Sequence, residues 1–238
     1  MPLGASITAG YHSTDGNGYR KWLRDELEDE GWEVDMVGSQ QNGTMQDNDH
    51  EGHIGFRIDQ IAAVAEKSLH LQPNVILLNV GTNDALQDYQ VDTAGDRINA
   101  LMVRLLEALP DATVILSTLL PNTVTPAHVN TINEQYRKIA VQRDADGERI
   151  VLADMDRWIR SSEMADDGIH PTDHGYQDMA WVWSVAIKDA REKRMIQSPS
   201  VSQYRAVTPV STSDGLRRFQ EGNCLLPLVV ALQLGIGF

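Results

Sequence analysis

The 238-residue chain has little cysteine and no hydrophobic run long enough to span a membrane. Its one cysteine, Cys224, excludes an intrachain disulfide, which is usual in reducing compartments and also occurs in some secreted proteins. The most apolar stretch, residues 225–238, has about 14 residues, whereas a transmembrane helix needs about 20. A signal peptide is not visible at the start of the chain. We expect an extracellular protein, with a cytoplasmic one as the alternative.

Basic residues are also scarce. The chain has 20 Lys and Arg against 34 Asp and Glu, for a formal net charge of −14. A polyanionic surface repels the phosphates of nucleic acids and of anionic membranes. The charge therefore argues against nucleic acid and membrane partners, and it leaves small molecules and neutral polymers as candidate ligands.

Apolar runs and helical periodicity alternate along the chain, with 42% hydrophobic residues overall. The predicted strands are the first few residues, 33–39, 74–81, 112–119 and 149–155. The predicted helices are 18–31, 57–69, 92–108, 127–143 and 173–194. Alternating strands and helices predict an α/β fold with a parallel sheet and helices on both faces. Residues 1–194 form the predicted domain, and residues 195–238 a tail of different composition.

Polar or small residues follow the predicted strands where each strand ends. Ser6 follows the first strand, a loop with Gly55 follows the second, and Asn83 follows strand 74–81. Asp167 and His170 come after the last strand and a short helical stretch. Because ligand sites in such sheets lie beyond the carboxyl ends of the strands, we expect these side chains to lie close together.

These residue types are the ones that acyl transfer requires. A serine hydroxyl needs a base to take its proton, and a histidine base needs a carboxylate to orient it. Asp167 and His170, three residues apart, can supply that pair. Backbone N–H groups and an asparagine side chain can stabilise the oxyanion.

Each residue alone also has a structural interpretation: Ser6 as a turn or cap residue, Asn83 as a cap, Gly55 as a loop glycine and Asp167 as a cap of its own loop. The remaining histidines are interpreted as surface or structural residues: His12, His70, His128 and His174. His50 and His53 could form a metal pair, but no third ligand is near in sequence, so we expect no metal site.

Four sequence blocks resemble those of the SGNH (GDSL-like) hydrolases. They are "GASIT", "EGHIGFRIDQI", "GTND" and "DGIHPTDHGY", in the family's order over about residues 1–190. The phrases "HEGHIGFRIDQI" and "STDGNGYR" are similar to those of the family-three carbohydrate esterases, which remove acetyl groups from xylan. This chain departs from the family at Ala5, where the usual block has an aspartate.

The resemblance implies a flavodoxin-like three-layer α/β/α sandwich with a five-stranded parallel sheet. It assigns Ser6 as nucleophile, His170 as base and Asp167 as its orienting acid. It places the oxyanion between the N–H groups of Ser6 and Gly55 and the side chain of Asn83. It also implies a monomeric enzyme without a cofactor, acting on acetylated polysaccharide or oligosaccharide. The alternatives are a lipid esterase or lysophospholipase of the same superfamily and a non-catalytic sugar-binding protein.

Overall fold

A six-stranded sheet forms the centre of the protein, whose structure, a computed structural model, describes residues 1–199. The strands are β1 (Pro2–Gly4), β2 (Gln40–Gln41), β3 (Asp49–Gly52), β4 (Val75–Asn79), β5 (Thr113–Ser117) and β6 (Ile150–Ala153). Their spatial order is β2-β3-β1-β4-β5-β6. The pair β2 and β3 is antiparallel, and every other neighbouring pair is parallel.

Helices cover both faces of this sheet. They are α1 (Ser6–Ala9), α2 (Tyr19–Asp29), α3 (Ile58–Ala65), α4 (Thr82–Leu86), α5 (Ala94–Ala108), α6 (Pro126–Ala145), α7 (Met155–Trp158) and α8 (Asp173–Glu192). Strand β4 shows the alternation: Ile76 and Leu78 pack into the core with α3, α5 and α6, whereas Leu77 packs into the opposite core with α2 and α8. The predicted three-layer α/β/α sandwich is confirmed. Five strands run parallel, as in the predicted five-stranded sheet, and the antiparallel strand β2 adds a sixth.

The predicted strand at residues 33–39 is wrong. This segment is irregular because its backbone N–H groups bond to carboxylates instead of to a neighbouring strand. The N–H of Met36 donates to Asp47 Oδ2 at 2.9 Å, and that of Ser39 donates to Glu51 Oε2 at 2.8 Å. Met36 is buried, so the segment packs on the core without joining the sheet.

On the side of β1 away from β4, the parallel neighbour is β3. This strand lies inside the stretch that the sequence predicts to be a loop. Its residues "DHEG" include no aliphatic side chain and no Phe, Tyr or Trp, so hydrophobic periodicity could not reveal it. Leu3 is opposite Glu51 and Gly4 is opposite Gly52 in the pairing. Gly55 therefore follows β3 by three residues.

The C-terminal part of the described chain contacts the domain. Thr113 Oγ1 donates to the Met195 carbonyl at 2.8 Å, and Asn74 Nδ2 donates to the Gln197 carbonyl at 2.8 Å. Residues 200–238 of the predicted tail lie outside the described residues. The separation of the 195–238 tail from the domain therefore stays a prediction. Within residues 1–199, none of the helices combines the length and hydropathy that crossing a bilayer requires.

Candidate active site

The carboxyl ends of β1, β3 and β4 lie side by side at one edge of the sheet. In the pairing register, Gly4 is opposite both Gly52 of β3 and Asn79 of β4. Ser6 follows Gly4 by two residues, and Asn83 follows Asn79 by four. The register therefore brings the segments that carry Ser6, Gly55 and Asn83 to a common edge.

A chain of hydrogen bonds joins Ser6, His170 and Asp167. His170 Nε2 lies 2.8 Å from Ser6 Oγ, and His170 Nδ1 lies 2.6 Å from Asp167 Oδ2. The His170 side chain is 12% exposed and that of Asp167 is 29% exposed, so the pair is reachable from solvent. A serine hydroxyl, a ring nitrogen and a carboxylate in this order can activate the hydroxyl as a nucleophile.

The Asp167 carboxylate is held in its ionised form by its own loop. Its Oδ1 accepts the backbone N–H groups of Ile169 and His170, both at 2.9 Å. Burial by itself would raise the pKa of Asp167, but these bonds and the His170 side chain outweigh it and lower the pKa to about 2. The carboxylate therefore stays negative over the range in which histidine titrates.

Ser6 is the first residue of α1, where backbone N–H groups have no partner within the helix. The chain before it is closely packed: a Cβ at Gly4 would lie 2.1 Å from the Asn79 carbonyl oxygen. A residue larger than glycine at position 4 would push β1 away from β4. The small residues before Ser6 thus set the position of the hydroxyl.

Gly55 occupies the third position of a turn after β3. The Phe56 N–H donates to the His53 carbonyl at 3.2 Å, and Gly55 has φ of +82°, a left-handed conformation that favours glycine there. Asn83 Nδ2 donates to the Phe56 carbonyl at 2.9 Å. The amide group of Asn83 is thus fixed against the turn that carries Gly55, with a second N–H left for another acceptor.

Two buried charges near this edge were not predicted from the sequence. Asp84 accepts the N–H of Ile58 at 3.1 Å and Arg97 Nη1 at 2.5 Å, so it joins α4 to the start of α3. Burial raises the pKa of Asp84, and the Arg97 bond opposes that rise. This contact fixes Asn83 relative to the Gly55 turn.

The second is Arg20, which is fully buried in α2. Its guanidinium donates to four backbone carbonyls, those of Ala9, Gly16, Asn42 and Asn48, at 2.9–3.3 Å. It thereby ties the loop after α1 to the loop before β3. Desolvation by burial lowers the pKa of Arg20.

His50 and His53 have separate hydrogen-bond partners. His50 Nδ1 accepts the Gly52 N–H at 2.9 Å, and burial followed by the Arg20 charge lowers the His50 pKa to about 3, so the ring is neutral. His53 Nε2 lies 2.5 Å from Glu51 Oε1. Among residues 1–199, the clusters with metal-ligand spacing contain neither ring.

His12, interpreted from the sequence as a surface residue, lies beside the aspartate of the hydrogen-bonded chain. Its Nε2 is 3.4 Å from Asp167 Oδ2, and its ring stacks on that of His170. Nothing in the sequence pattern indicated this contact, because His12 and Asp167 are joined only by the fold.

Known proteins show what the chain is similar to. A multidomain esterase from Ruminococcus flavefaciens is 29% identical in an alignment of 215 positions that covers 77% of this chain and 27% of that protein. The chain thus spans about a quarter of the length of that relative. A family 3 carbohydrate esterase from Clostridium thermocellum superimposes with a TM-score of 0.73 at 27% identity, covering 81% of this chain and 96% of the other.

A family 3 carbohydrate esterase from Talaromyces cellulolyticus shares the fold, with a TM-score of 0.71 at 24% identity over 81% of this chain and 97% of the other. The sequence profile of the GDSL-like lipase/acylhydrolase family matches residues 3–177, a span that includes Ser6, Gly55, Asn83, Asp167 and His170. The chain therefore belongs to the GDSL-like lipase/acylhydrolase family.

Proposed function

We propose that the protein is a serine esterase that removes acetyl groups from carbohydrate through an acyl-enzyme on Ser6. The observation that carries the proposal is the continuous chain from Ser6 Oγ through both nitrogens of His170 to Asp167 Oδ2. In this chain Ser6 is the nucleophile, His170 the general base and Asp167 the residue that orients the ring.

The first half of the reaction forms the acyl-enzyme. His170 Nε2 takes the hydroxyl proton while Ser6 Oγ bonds to the ester carbonyl carbon, and Asp167 stabilises the imidazolium that results. When the tetrahedral intermediate collapses, the bond to the sugar oxygen breaks. His170 returns its proton to that oxygen, so the sugar leaves as an alcohol and the acetyl group stays on Ser6.

The second half repeats these steps with water. His170 takes a proton from water as the water oxygen bonds to the acyl carbon, and it gives that proton to Ser6 Oγ as the bond between Oγ and the acyl carbon breaks. The product leaves as acetic acid, which loses its proton to solvent and becomes acetate. Each half develops negative charge on the former carbonyl oxygen. The N–H groups of Ser6 and Gly55 and the free N–H of Asn83 are the donors that we assign to this oxyanion.

The surroundings of the site favour a polar alcohol such as a sugar. The loop of residues 11–16 and the stretch of residues 40–49 are rich in Asn, Asp, Gln, Ser and Thr, which can hydrogen-bond to sugar hydroxyls. Tyr11 is 46% exposed and places its ring 4.8 Å from that of His170, a flat surface on which a sugar can rest. The carbohydrate esterases among the similar structures support the same substrate class.

We extend the proposal to partners and location. The substrate is an acetylated polysaccharide or oligosaccharide, the protein acts as an extracellular monomer, and its net charge of −14 disfavours nucleic acid and membranes. The reaction as written uses side chains and water, without a metal or cofactor.

The test is acetate release from acetylated xylan, measured together with the hydrolysis of p-nitrophenyl acetate and p-nitrophenyl octanoate. We expect acetate release and a kcat/KM that is at least tenfold higher for acetate than for octanoate. Ser6→Ala serves as the inactive control. A kcat/KM that rises with acyl length would instead assign the protein to the lipid esterases, and sugar binding without ester hydrolysis would make it a binding protein.

A further inference from the structure

His12 and His170 place ring nitrogens around one carboxylate. His12 Nε2 lies 3.4 Å from Asp167 Oδ2, and His170 Nδ1 lies 2.6 Å from the same oxygen. The two rings are stacked, with centroids 5.5 Å apart and planes 16° apart. Each of the three residues offers a ligand atom that lies within 4.8 Å of those of the other two.

The loop that carries His12 is anchored on both sides of the ring. Tyr176 Oη donates to the Tyr11 carbonyl at 2.6 Å, and Thr14 donates its N–H and its hydroxyl to Asp173. His12 itself has φ of +71°, a left-handed conformation that residues other than glycine keep only where the surroundings impose it. The fold thus holds the imidazole next to Asp167, and its side chain is still 42% exposed.

Two imidazole nitrogens and a carboxylate oxygen are a ligand set that zinc binds well, with water in the fourth position. We propose that His12, Asp167 and His170 form an inhibitory site for a zinc ion. The inhibition rests on the proposed function, because it acts on the base that activates Ser6. The zinc binding itself does not depend on catalysis.

Zinc at this site would remove the base by changing the tautomer of His170. The proposed mechanism requires the His170 ring to carry its proton on Nδ1, 2.6 Å from Asp167 Oδ2, so that Nε2, 2.8 Å from Ser6 Oγ, can accept the hydroxyl proton. A metal on Nδ1 needs that lone pair, so the proton of the neutral ring moves through solvent to Nε2. Nε2 then donates to Ser6 and has no lone pair with which to take its proton.

A second cluster provides an internal control. Glu163, His174 and Asp178 also lie within 4.8 Å of one another in their ligand atoms. His174 is 70% exposed, and none of the three belongs to the Ser6–His170–Asp167 chain. Zinc bound there would leave the proton on His170 Nδ1 and would not inhibit.

The activity test titrates zinc chloride into p-nitrophenyl acetate hydrolysis by the wild type, His12→Asn and His174→Asn. Asparagine tolerates a left-handed φ, so His12→Asn preserves the loop and removes the ring. Relative to its own zinc-free rate, we expect the wild type to lose nearly all activity, reversibly on addition of EDTA. His12→Asn should need at least tenfold more zinc for half-inhibition, and His174→Asn should respond as the wild type does.

The binding test uses the inactive variant Ser6→Ala and measures zinc binding directly, without ester hydrolysis. Isothermal titration with zinc chloride should detect a site that is lost in Ser6→Ala/His12→Asn and kept in Ser6→Ala/His174→Asn. Equal zinc binding, or equal inhibition, with and without His12 would overturn the proposal. A His12-dependent site in a protein that hydrolyses no ester would overturn the proposed function and leave the zinc site standing.

Discussion

His170 with Asp167 and His53 with Glu51 are both histidine–carboxylate pairs near the same edge of the sheet, with nitrogen–oxygen distances of 2.6 and 2.5 Å. Asp167 is partly exposed and bonds mainly to its own loop. Glu51 is completely buried within β3 and accepts from Ser39 at 2.8 and 3.0 Å and from the Ser68 hydroxyl. The two carboxylates thus have similar partners and different access to solvent.

The second difference is the contact that each histidine ring makes besides the one to its carboxylate. The second nitrogen of His170, Nε2, lies within hydrogen-bond distance of Ser6 Oγ, and Ser6 is the first residue of α1. The His53 ring stacks on Phe56, at 5.2 Å between centroids. A histidine–carboxylate pair is therefore not enough for catalysis. The pair with a hydroxyl at its far end can move a proton to a substrate, whereas the Glu51 pair joins the irregular segment 33–39 to the sheet.

The largest predicted effect that separates the pairs is that of Asp167→Asn. An amide cannot stabilise the imidazolium, and its NH₂ group favours the wrong tautomer of His170. We expect kcat per folded molecule for p-nitrophenyl acetate to fall by about 10⁴. The urea midpoint should fall modestly at pH 7, because a carboxylate with a lowered pKa stabilises the folded state. A loss of less than tenfold would mean that Asp167 is only the cap of its own loop.

Asn83→Ala should have the next largest effect. The Phe56 carbonyl and the end of β4 hold the Asn83 amide in place, so it can donate to the oxyanion without reorganisation. We expect kcat to fall by about 10² to 10³ with little change in KM, because the bond strengthens in the transition state. A lowered urea midpoint with normal kcat would instead make Asn83 a structural residue.

The sequence was most informative where residues follow a strand directly. Ser6 and Asn83 come within four residues of β1 and β4, so the position of a buried apolar strand predicts the position of the side chain. The spacing of Asp167 and His170 likewise predicts a local pair. The α/β sandwich follows from the same apolar runs.

The unpredicted features depend on contacts between segments that are distant in sequence. Strand β3 contains no aliphatic residue and no Phe, Tyr or Trp, so its sequence does not indicate a strand. Its stability comes from pairing with β1 and from the hydrogen bonds of Glu51. Arg20 looks like a surface helix residue until the loop carbonyls around it are known. His12 reaches Asp167 only because Tyr176 and Asp173 anchor its loop to α8.

The smallest predicted effect on activity is that of Glu51→Gln, the counterpart of Asp167→Asn at the structural pair. Glutamine keeps one acceptor oxygen but presents N–H groups to the donors of Ser39 and Ser68. Leaving such buried groups unpaired should lower the free energy of unfolding by about 1–3 kcal/mol. The kcat per folded molecule should stay within about twofold of the wild type, because Glu51 contacts none of the proposed reacting groups.

The pH dependence of the stability that Glu51 contributes to the folded state gives a sharper test of the same comparison. Burial alone would raise the pKa of Glu51, but hydrogen bonds from Ser68, His53 and Ser39 bring it below the ordinary value of 4.5. A carboxyl with a lowered pKa in the folded state stabilises that state above its ordinary pKa, and the contribution is lost as pH falls further. The difference in urea midpoint between the wild type and Glu51→Gln should therefore be full at pH 7 and shrink once the pH drops below about 4.5. A difference that is the same at pH 7 and pH 3.5 would mean that the shape of the side chain, and not its charge, holds segment 33–39 against the sheet.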